Sequence, residues 1–232
     1  MVAKKYWLID EKSDRIPVNG TFSRKQSENK MKTHWEYIYE KKGPTQVSWY
    51  QEHAQFSLQY IHKTGIQKTG HIIDVCGGAS TLVDDLIADG YKRITVLDIS
   101  ANALKRARER LGSSAADIRW IEADITQADL PYQAYDVWHD RAVFHFLTQD
   151  VDRQRYIATV RHAVRAGGHV IIATFADDGP DHCSGLEVMR YDPEELHGEF
   201  GDNFDLVDST RETHHTPFGT EQKFIYCYCR KY

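Results

Sequence analysis

Cysteine is scarce in this chain. Its four residues among 232 (Cys76, Cys183, Cys227 and Cys229) lack the spacing of the disulfide frameworks that staple small secreted domains. They read as reduced thiols, and the chain as cytoplasmic. Long apolar runs are missing too, since no stretch approaches the roughly 20 apolar residues that span a bilayer. The start, MVAKKYWLIDEKSDR, has lysines but neither an apolar core nor a small-residue cleavage site, so it does not read as a secretory signal. There is no basic surplus either. Lys and Arg total 29 against 34 Asp and Glu, and a net charge of −5 argues against a nucleic-acid partner, which selects for a basic face. The 12 histidines show no zinc-ligand spacing, and neighbours His214 and His215 would point to opposite faces of a strand, so no metal is expected.

What remains is an ordinary globular composition, 41% hydrophobic and 27% charged, in a chain long enough to bury a sizeable core. Residues 1–31 are polar and aperiodic, and NGTFSRKQSENK reads as a loop or a loosely attached arm. Residues 32–69 are rich in aromatics. Gly43-Pro44 breaks this segment, and Tyr50, His53, Phe56, Tyr60 and Ile61 approximate helical spacing ahead of a C-terminal Gly65.

From residue 70 to 232, short apolar runs alternate with amphipathic helices. Strands are expected at HIIDVC, RITVLD, IRWIEAD, AYDVWHD and HVIIATF. The intervening helices are expected from about Ser80 to Ala88, from a Ser100 cap to Gly112, and from about Val151 to Arg165 before Gly167-Gly168. YDPEELHGEF reads as a short helix with Pro193 near its start, and FDLVDSTRET…EQKFIYCYC as a closing hairpin. The implied fold is a Rossmann-like, seven-stranded, mostly parallel sheet with helices on both faces and a C-terminal antiparallel hairpin.

In such a sheet, ligands bind at the carboxyl ends of the strands, where strand order reverses. The first strand runs directly into Asp74-Val75-Cys76-Gly77-Gly78-Ala79-Ser80, whose glycines allow a sharp turn and close backbone approach. Asp98, twenty residues after Gly78 at the end of the second strand, can accept from both hydroxyls of a ribose. The third strand ends in Glu122-Ala123-Asp124-Ile125, where an acid can meet an exocyclic amine. Each piece has a bland reading, a common turn or a helix cap, but three on successive strands in order are hard to explain as accidents. A nicotinamide dinucleotide would want G-x-G-x-x-G, and the third glycine is missing. Asp74 would also repel a pyrophosphate, whereas it suits a ligand carrying an ammonium group.

This D-x-C-G-G-A-S turn resembles the D-x-G-x-G-x-G motif of the class I S-adenosylmethionine-dependent methyltransferases, with Cys76 and Ser80 replacing two glycines. The resemblance implies S-adenosylmethionine as cofactor, with Asp74, Gly77 and Gly78 at its methionine part, Asp98 and Ile99 at the ribose, and Asp124 and Ile125 at the adenine. Trp49 and Tyr50 would close over it, since aromatic faces suit a sulfonium cation; plain core packing is the alternative. WHDRAVFHFL after strand four and TFADDGP…CSGL after strand five are similar to bacterial members of the class. The layout, with its early H-W-x-x-x-Y…S-W-Y segment, is similar to lysine methyltransferases acting on elongation factor 1A and citrate synthase.

For the acceptor end, His139, Asp140 and Arg141 at the mouth of strand four are the catalytic candidates. Against this, Asp140 could cap a following AVFHFL helix and His139 could pack in the sheet. His145 reads as a structural histidine. Arg141 could pair with a substrate carboxylate or anchor a loop acid. Asp177, His182 and Cys183 could form a second wall. Cys227 and Cys229, two apart on a strand, could with Cys183 bridge a soft metalloid; the bland reading is small buried hydrophobes. The function expected is methyl transfer to a small molecule, a thiol or other soft nucleophile among the options. The alternatives are a protein lysine methyltransferase and a catalytically silent cofactor-binding module. No N/D-P-P-Y/F motif of a base methyltransferase follows strand four, where HDRA stands, and no Tyr-x-x-x-Lys hydride-transfer pair is present.

Overall fold

The structure is a computed structural model and describes residues 24–232. Helix α1 (Arg24–Lys41) carries an apolar stripe at Met31, Trp35, Ile38 and Tyr39, the i, i+4, i+7 and i+8 spacing of one helical face. Gly43 and Pro44 end it in a short 3-10 turn, Pro44–Gln46. Residues 24–31, assigned from sequence to the polar arm, are therefore helical. RKQSENK holds no apolar residue from which a period could be read, yet it continues the helix whose stripe begins at Met31. The rest of that expected arm lies outside the described residues.

Helix α2 (Gln55–Lys63) buries Ser57, Tyr60 and Ile61. It stops at Thr64, and Gly65 takes a left-handed φ of 69° that disfavours any side chain. The alternation that follows runs β1 (His71–Val75), α3 (Leu82–Ala88), β2 (Arg93–Asp98), α4 (Ala101–Leu111), β3 (Arg119–Glu122), β4 (Tyr135–Arg141), α5 (Asp150–Ala163) and β5 (Val164–Phe175). A small hairpin, β6 (His182–Cys183) and β7 (Leu186–Glu187), precedes α6 (Pro193–Phe200), β8 (Phe204–His215) and β9 (Glu221–Lys231).

The main sheet has seven strands in the order β3-β2-β1-β4-β5-β9-β8. β1 to β5 run parallel, whereas β9 is antiparallel to both of its neighbours. This is the expected Rossmann-like sheet with its closing hairpin. Side chains alternate between two apolar cores, one per face: Ile73, Trp138, Ile172 and Cys227 lie in one, and Ile72, Val137, Ile171 and Tyr226 in the other. No helix among the described residues is long and apolar enough to cross a membrane.

Two boundaries differ from the sequence reading. The expected AVFHFL helix is a single 3-10 turn, Phe144–Phe146, because Ala142 leaves β4 at a left-handed φ of 69° and the chain turns instead of coiling. Helix α5 stops at Ala163, so Gly167-Gly168 lie inside β5 and are not its cap. They sit where the β4–β5 register slips between Tyr135 and Val137, the usual place of a strand glycine.

Candidate active site

Strand order reverses between β1 and β4, and register sets Asp74 of β1 beside His139 of β4. His139 Nδ1 lies 2.7 Å from Asp74 Oδ1, with both side chains almost fully buried. A carboxylate accepts, so the ring hydrogen is assigned to Nδ1 and Nε2 presents a lone pair. Neither Nε2 nor Asp74 Oδ2 has a protein partner among the described residues. Both side chains line a cavity of about 370 Å³ that Tyr50, Gly77 and Arg110 also border.

The turn after β1 passes through Cys76, held at a left-handed φ of 53° where a glycine would be unstrained. Gly77 and Gly78 follow for a packing reason. A Cβ on Gly77 would fall 2.0 Å from Asp74 Oδ2, and one on Gly78 would fall 2.7 Å from both Asp98 Oδ2 and the Ala103 Cβ. The backbone thus lies directly on the two carboxylates.

Asp98 ends β2, buried, and accepts from the N–H groups of Ser100 (2.8 Å) and Gly78 (3.1 Å). Burial pushes its carboxyl up to about 7, against the lowering effect of those two bonds. Ser100 caps α4 by accepting from Ala103 N–H at 3.1 Å. Glu36 of α1 completes that terminus, accepting from Ser100 Oγ, Ala101 N–H and Asn102 N–H at 2.8–3.0 Å. After β3, Asp124 Oδ1 accepts from both the N–H and the hydroxyl of Thr126. Asp98, Ile99, Asp124 and Ile125 border a second cavity of about 510 Å³. Trp35, Tyr39, Trp49 and Phe146 line it too, and it shares Tyr39, Trp49, Cys76 and Arg141 with the first cavity.

The three catalytic candidates separate. His139 faces the smaller cavity. Asp140 borders neither cavity. Its oxygens accept from Val143 N–H (3.1 Å), Phe144 N–H (3.2 Å) and Tyr156 Oη–H (2.6 Å), and Tyr156 accepts in turn from Trp138 Nε1–H (2.9 Å). This is the capping arrangement weighed as the alternative, now over a 3-10 turn, and burial lifts the Asp140 carboxyl to about 7. Arg141 borders both cavities while anchored to Glu212 at 3.2 Å and to Tyr226 Oη at 3.1 Å, with its guanidinium 4.0 Å from the Phe224 ring centre.

His145 is structural. Its Nδ1 accepts from Phe175 N–H, and burial holds it down to about 3, hence neutral. Of the loop after β5, only Cys183 reaches the larger cavity, with its thiol pushed up to about 12 by burial. Asp177 pairs with Arg211 and His182 with Asp181, both exposed and away from the cavities. The envisaged three-thiolate bridge does not assemble. Cys227 and Cys229 place their sulfurs 3.4 Å apart in one core, whereas Cys183 packs in the core on the opposite face. Among the described residues, no group of three or more His, Cys, Asp or Glu is arranged to hold a metal.

By resemblance, residues 32–69 were expected to form aromatic-rich helices covering the cofactor, and the H-W-x-x-x-Y segment holds Trp35 and Tyr39, but neither these two nor Phe146 was singled out as a site residue. Glu36 and Glu212 gave no signal, because their partners lie 64 to 71 residues away.

A nucleoside carrying an amino acid fits this arrangement. It would meet a backbone cradle that a Cβ would fill, two buried acceptors beside it with no partner among the described residues, and a buried acid at the end of the next strand. The Rossmann-like sheet with its closing hairpin is the fold of the class I S-adenosylmethionine-dependent methyltransferases. The family model that matches residues 72–168 is described as a methyltransferase domain.

A mouse eEF1A lysine and N-terminal methyltransferase is 26% identical over 149 residues, 62% of this chain and 21% of the relative. The chain thus spans about a fifth of that relative's length. An uncharacterized methyltransferase of Mycobacterium bovis is 31% identical over 105 residues, 45% of this chain and 50% of the relative. Among solved structures, the 1,6-didemethyltoxoflavin-N1-methyltransferase of Burkholderia thailandensis, with 1,6-didemethyltoxoflavin and S-adenosylhomocysteine bound, shares the fold at TM-score 0.67 and 17% identity over 93% of each chain. A structure from work on conversion of a disulfide bond into a thioacetal group in echinomycin biosynthesis shares it at TM-score 0.69 and 18% identity, over 87% of this chain and 92% of that one.

Proposed function

We propose that the chain transfers the methyl group of S-adenosylmethionine to a small-molecule acceptor, with the cofactor spanning the two cavities. Bound there, the cofactor supplies a methyl group already activated by a sulfonium. Asp98 accepts from the ribose hydroxyls with Ile99 beside it, and Asp124 and Ile125 hold the adenine. The amino-acid end lies over Gly77 and Gly78 against Tyr50, where Asp74 Oδ2 and His139 Nε2 accept from the ammonium. Trp49, bordering both cavities, faces the sulfonium.

Catalysis is then chiefly the holding of nucleophile and methyl in line, which can supply several kcal/mol. In this scheme His139 serves the cofactor, Asp140 positions the Val143–Phe144 turn, and Arg141 alone of the three borders the acceptor. The observation that carries the reading is that the cavity of about 510 Å³ holding the proposed ribose and adenine contacts is also lined by Met31, Trp35 and Tyr39 of α1, so that cofactor and acceptor would share a space of small-molecule size. A lysine acceptor on a protein is the second reading, and it rests on the names of the mouse relative and its counterparts.

The test is methyl-labelled S-adenosylmethionine added with the enzyme to a lysate of its own source, with label counted separately in protein, low-mass and headspace fractions. Enzyme-dependent label in the low-mass or volatile fraction is expected. Label confined to protein would overturn the small-molecule reading in favour of lysine.

A further inference from the structure

The closing hairpin carries an inverted pattern near its tip. On β8, Glu212 and His214 are buried while Arg211, Thr213 and His215 are exposed, and Gln222 of β9 lies inward opposite His214. The two-residue period of a strand puts these three polar side chains on the same face as Phe224 and Tyr226. A hairpin that covers a core ordinarily turns apolar side chains inward, so buried polar ones need partners.

Those partners lie in residues 47–53, between the 3-10 turn that follows α1 and the start of α2. His214 Nε2 donates to Ser48 O at 2.7 Å, Gln222 Nε2 to Ser48 Oγ at 3.1 Å, and Gln51 Nε2 donates to Glu212 Oε1 at 2.9 Å. From the other side, the Thr81 hydroxyl donates to Gln51 O at 3.0 Å. Residues 47–53 make no backbone-to-backbone hydrogen bond to another described element; their one such bond is internal, from Tyr50 N–H to Val47 O. Their placement therefore depends on side-chain bonds and on the packing of Val47 and Trp49. Trp49 borders both cavities, and Val47, Tyr50 and Gln51 border the smaller one. Glu212 stands apart from the other ties. It is 4% exposed, and its second oxygen accepts from Arg141 Nη2 at 3.2 Å, so one buried carboxylate joins this segment to the arginine that borders both cavities.

We propose that Glu212 is a positioning residue: through Gln51 it holds residues 47–53 against the amino-acid end of the cofactor, and through its other oxygen it sets Arg141 between the two cavities. This rests on the cofactor placement given above. With the Gln51 arm cut, the segment is closed for a smaller fraction of the time. A ligand that needs it closed then loses apparent affinity in proportion to that fraction. A ligand without the amino-acid end does not need it closed and is spared.

The test is calorimetric titration of the full chain with S-adenosylhomocysteine and with 5′-methylthioadenosine, which has the same nucleoside and sulfur but no amino-acid end. Gln51→Leu and Glu212→Leu are each expected to weaken S-adenosylhomocysteine by about 10-fold, the low end for a lost hydrogen bond to a charged group, and 5′-methylthioadenosine by less than about twofold. In the double variant the two losses should not add, because either substitution alone cuts the arm. Glu212→Gln can still bond to Gln51 with that amide turned over, and should recover most of the affinity. Equal weakening of both ligands, additive losses, or Gln51→Leu binding S-adenosylhomocysteine as wild type does overturns the proposal. Should Glu212→Leu fail to fold, Gln51→Leu leaves the Arg141–Glu212 pair intact and still decides by the ratio of the two ligands. A wild-type chain that binds neither ligand would instead remove the cofactor reading beneath it.

Discussion

Replacing Asp98 with alanine removes the one carboxylate that joins the glycine turn, the start of α4 and the larger cavity. Its oxygens accept from Gly78 N–H and Ser100 N–H, and the proposed ribose contact adds bonds to the same ionised group. Hydrogen bonds to a charged group are worth about 1.5–3 kcal/mol, so the variant should lose roughly 10- to 150-fold in affinity for S-adenosylhomocysteine. Titration calorimetry at pH 8 measures this, with circular dichroism to establish that the variant is folded. Asp98→Asn keeps one acceptor oxygen at the same place and should fall between wild type and alanine. A folded Asp98→Ala protein that binds within twofold of wild type would refute the ribose assignment.

The same carboxyl makes a pH prediction. Asp98 is held up to about 7 in the folded chain, above the ordinary carboxylate value of the unfolded one. The folded state therefore keeps a proton that the unfolded chain has released, and this group's contribution to stability is full below about pH 4 and lost as pH rises through about 7. Ribose hydroxyls need the ionised form, so affinity for S-adenosylhomocysteine should rise from pH 6 to 8 in wild type and not in Asp98→Asn; equal slopes would dissociate Asp98 from the cofactor. Gly78→Ala would set a methyl 2.7 Å from Ala103 Cβ and from Asp98 Oδ2. It should cost about 1–3 kcal/mol in urea unfolding, the range for overpacking a tight site, and no loss would mean that the turn has room to move. Tyr156→Phe breaks the Trp138–Tyr156–Asp140 chain and should also cost about 1–3 kcal/mol, with cofactor affinity near wild type; a stability equal to wild type would leave Asp140 without its structural role. His139→Phe fills the ring's place without Nε2 and should weaken S-adenosylhomocysteine more than an analogue lacking the amino group. Equal weakening of both would separate His139 from the ammonium.

The parts of this fold written in local pattern were legible in the sequence. Apolar runs alternating with amphipathic helices gave β1 to β5 and the hairpin, and Ser100, Gly112 and Pro193 marked helix ends through backbone chemistry that acts within a few residues. The residues of the turn were legible for the same reason, since Asp74 lies near the end of β1, Gly77 and Gly78 follow it directly and Asp98 closes β2. What escaped was set by tertiary context. Arg24–Lys30 is helical with no apolar residue to reveal a period. Gly167-Gly168 looked like a helix cap until the β4–β5 register placed them at a bulge. The partners of His139 and Arg141 lie 65 and 71 residues away, so only the register of β1 against β4 and of β8 against β9 brings those charges together.

A crystal structure of the complex with S-adenosylhomocysteine tests the central claim most directly. The account predicts the ribose hydroxyls on Asp98, the adenine against Asp124 and Ile125, the ammonium on Asp74 Oδ2 and His139 Nε2, and the sulfur facing the Trp35–Trp49–Phe146 cluster. A cofactor lying elsewhere, or with its sulfur turned away from that cluster, would contradict it.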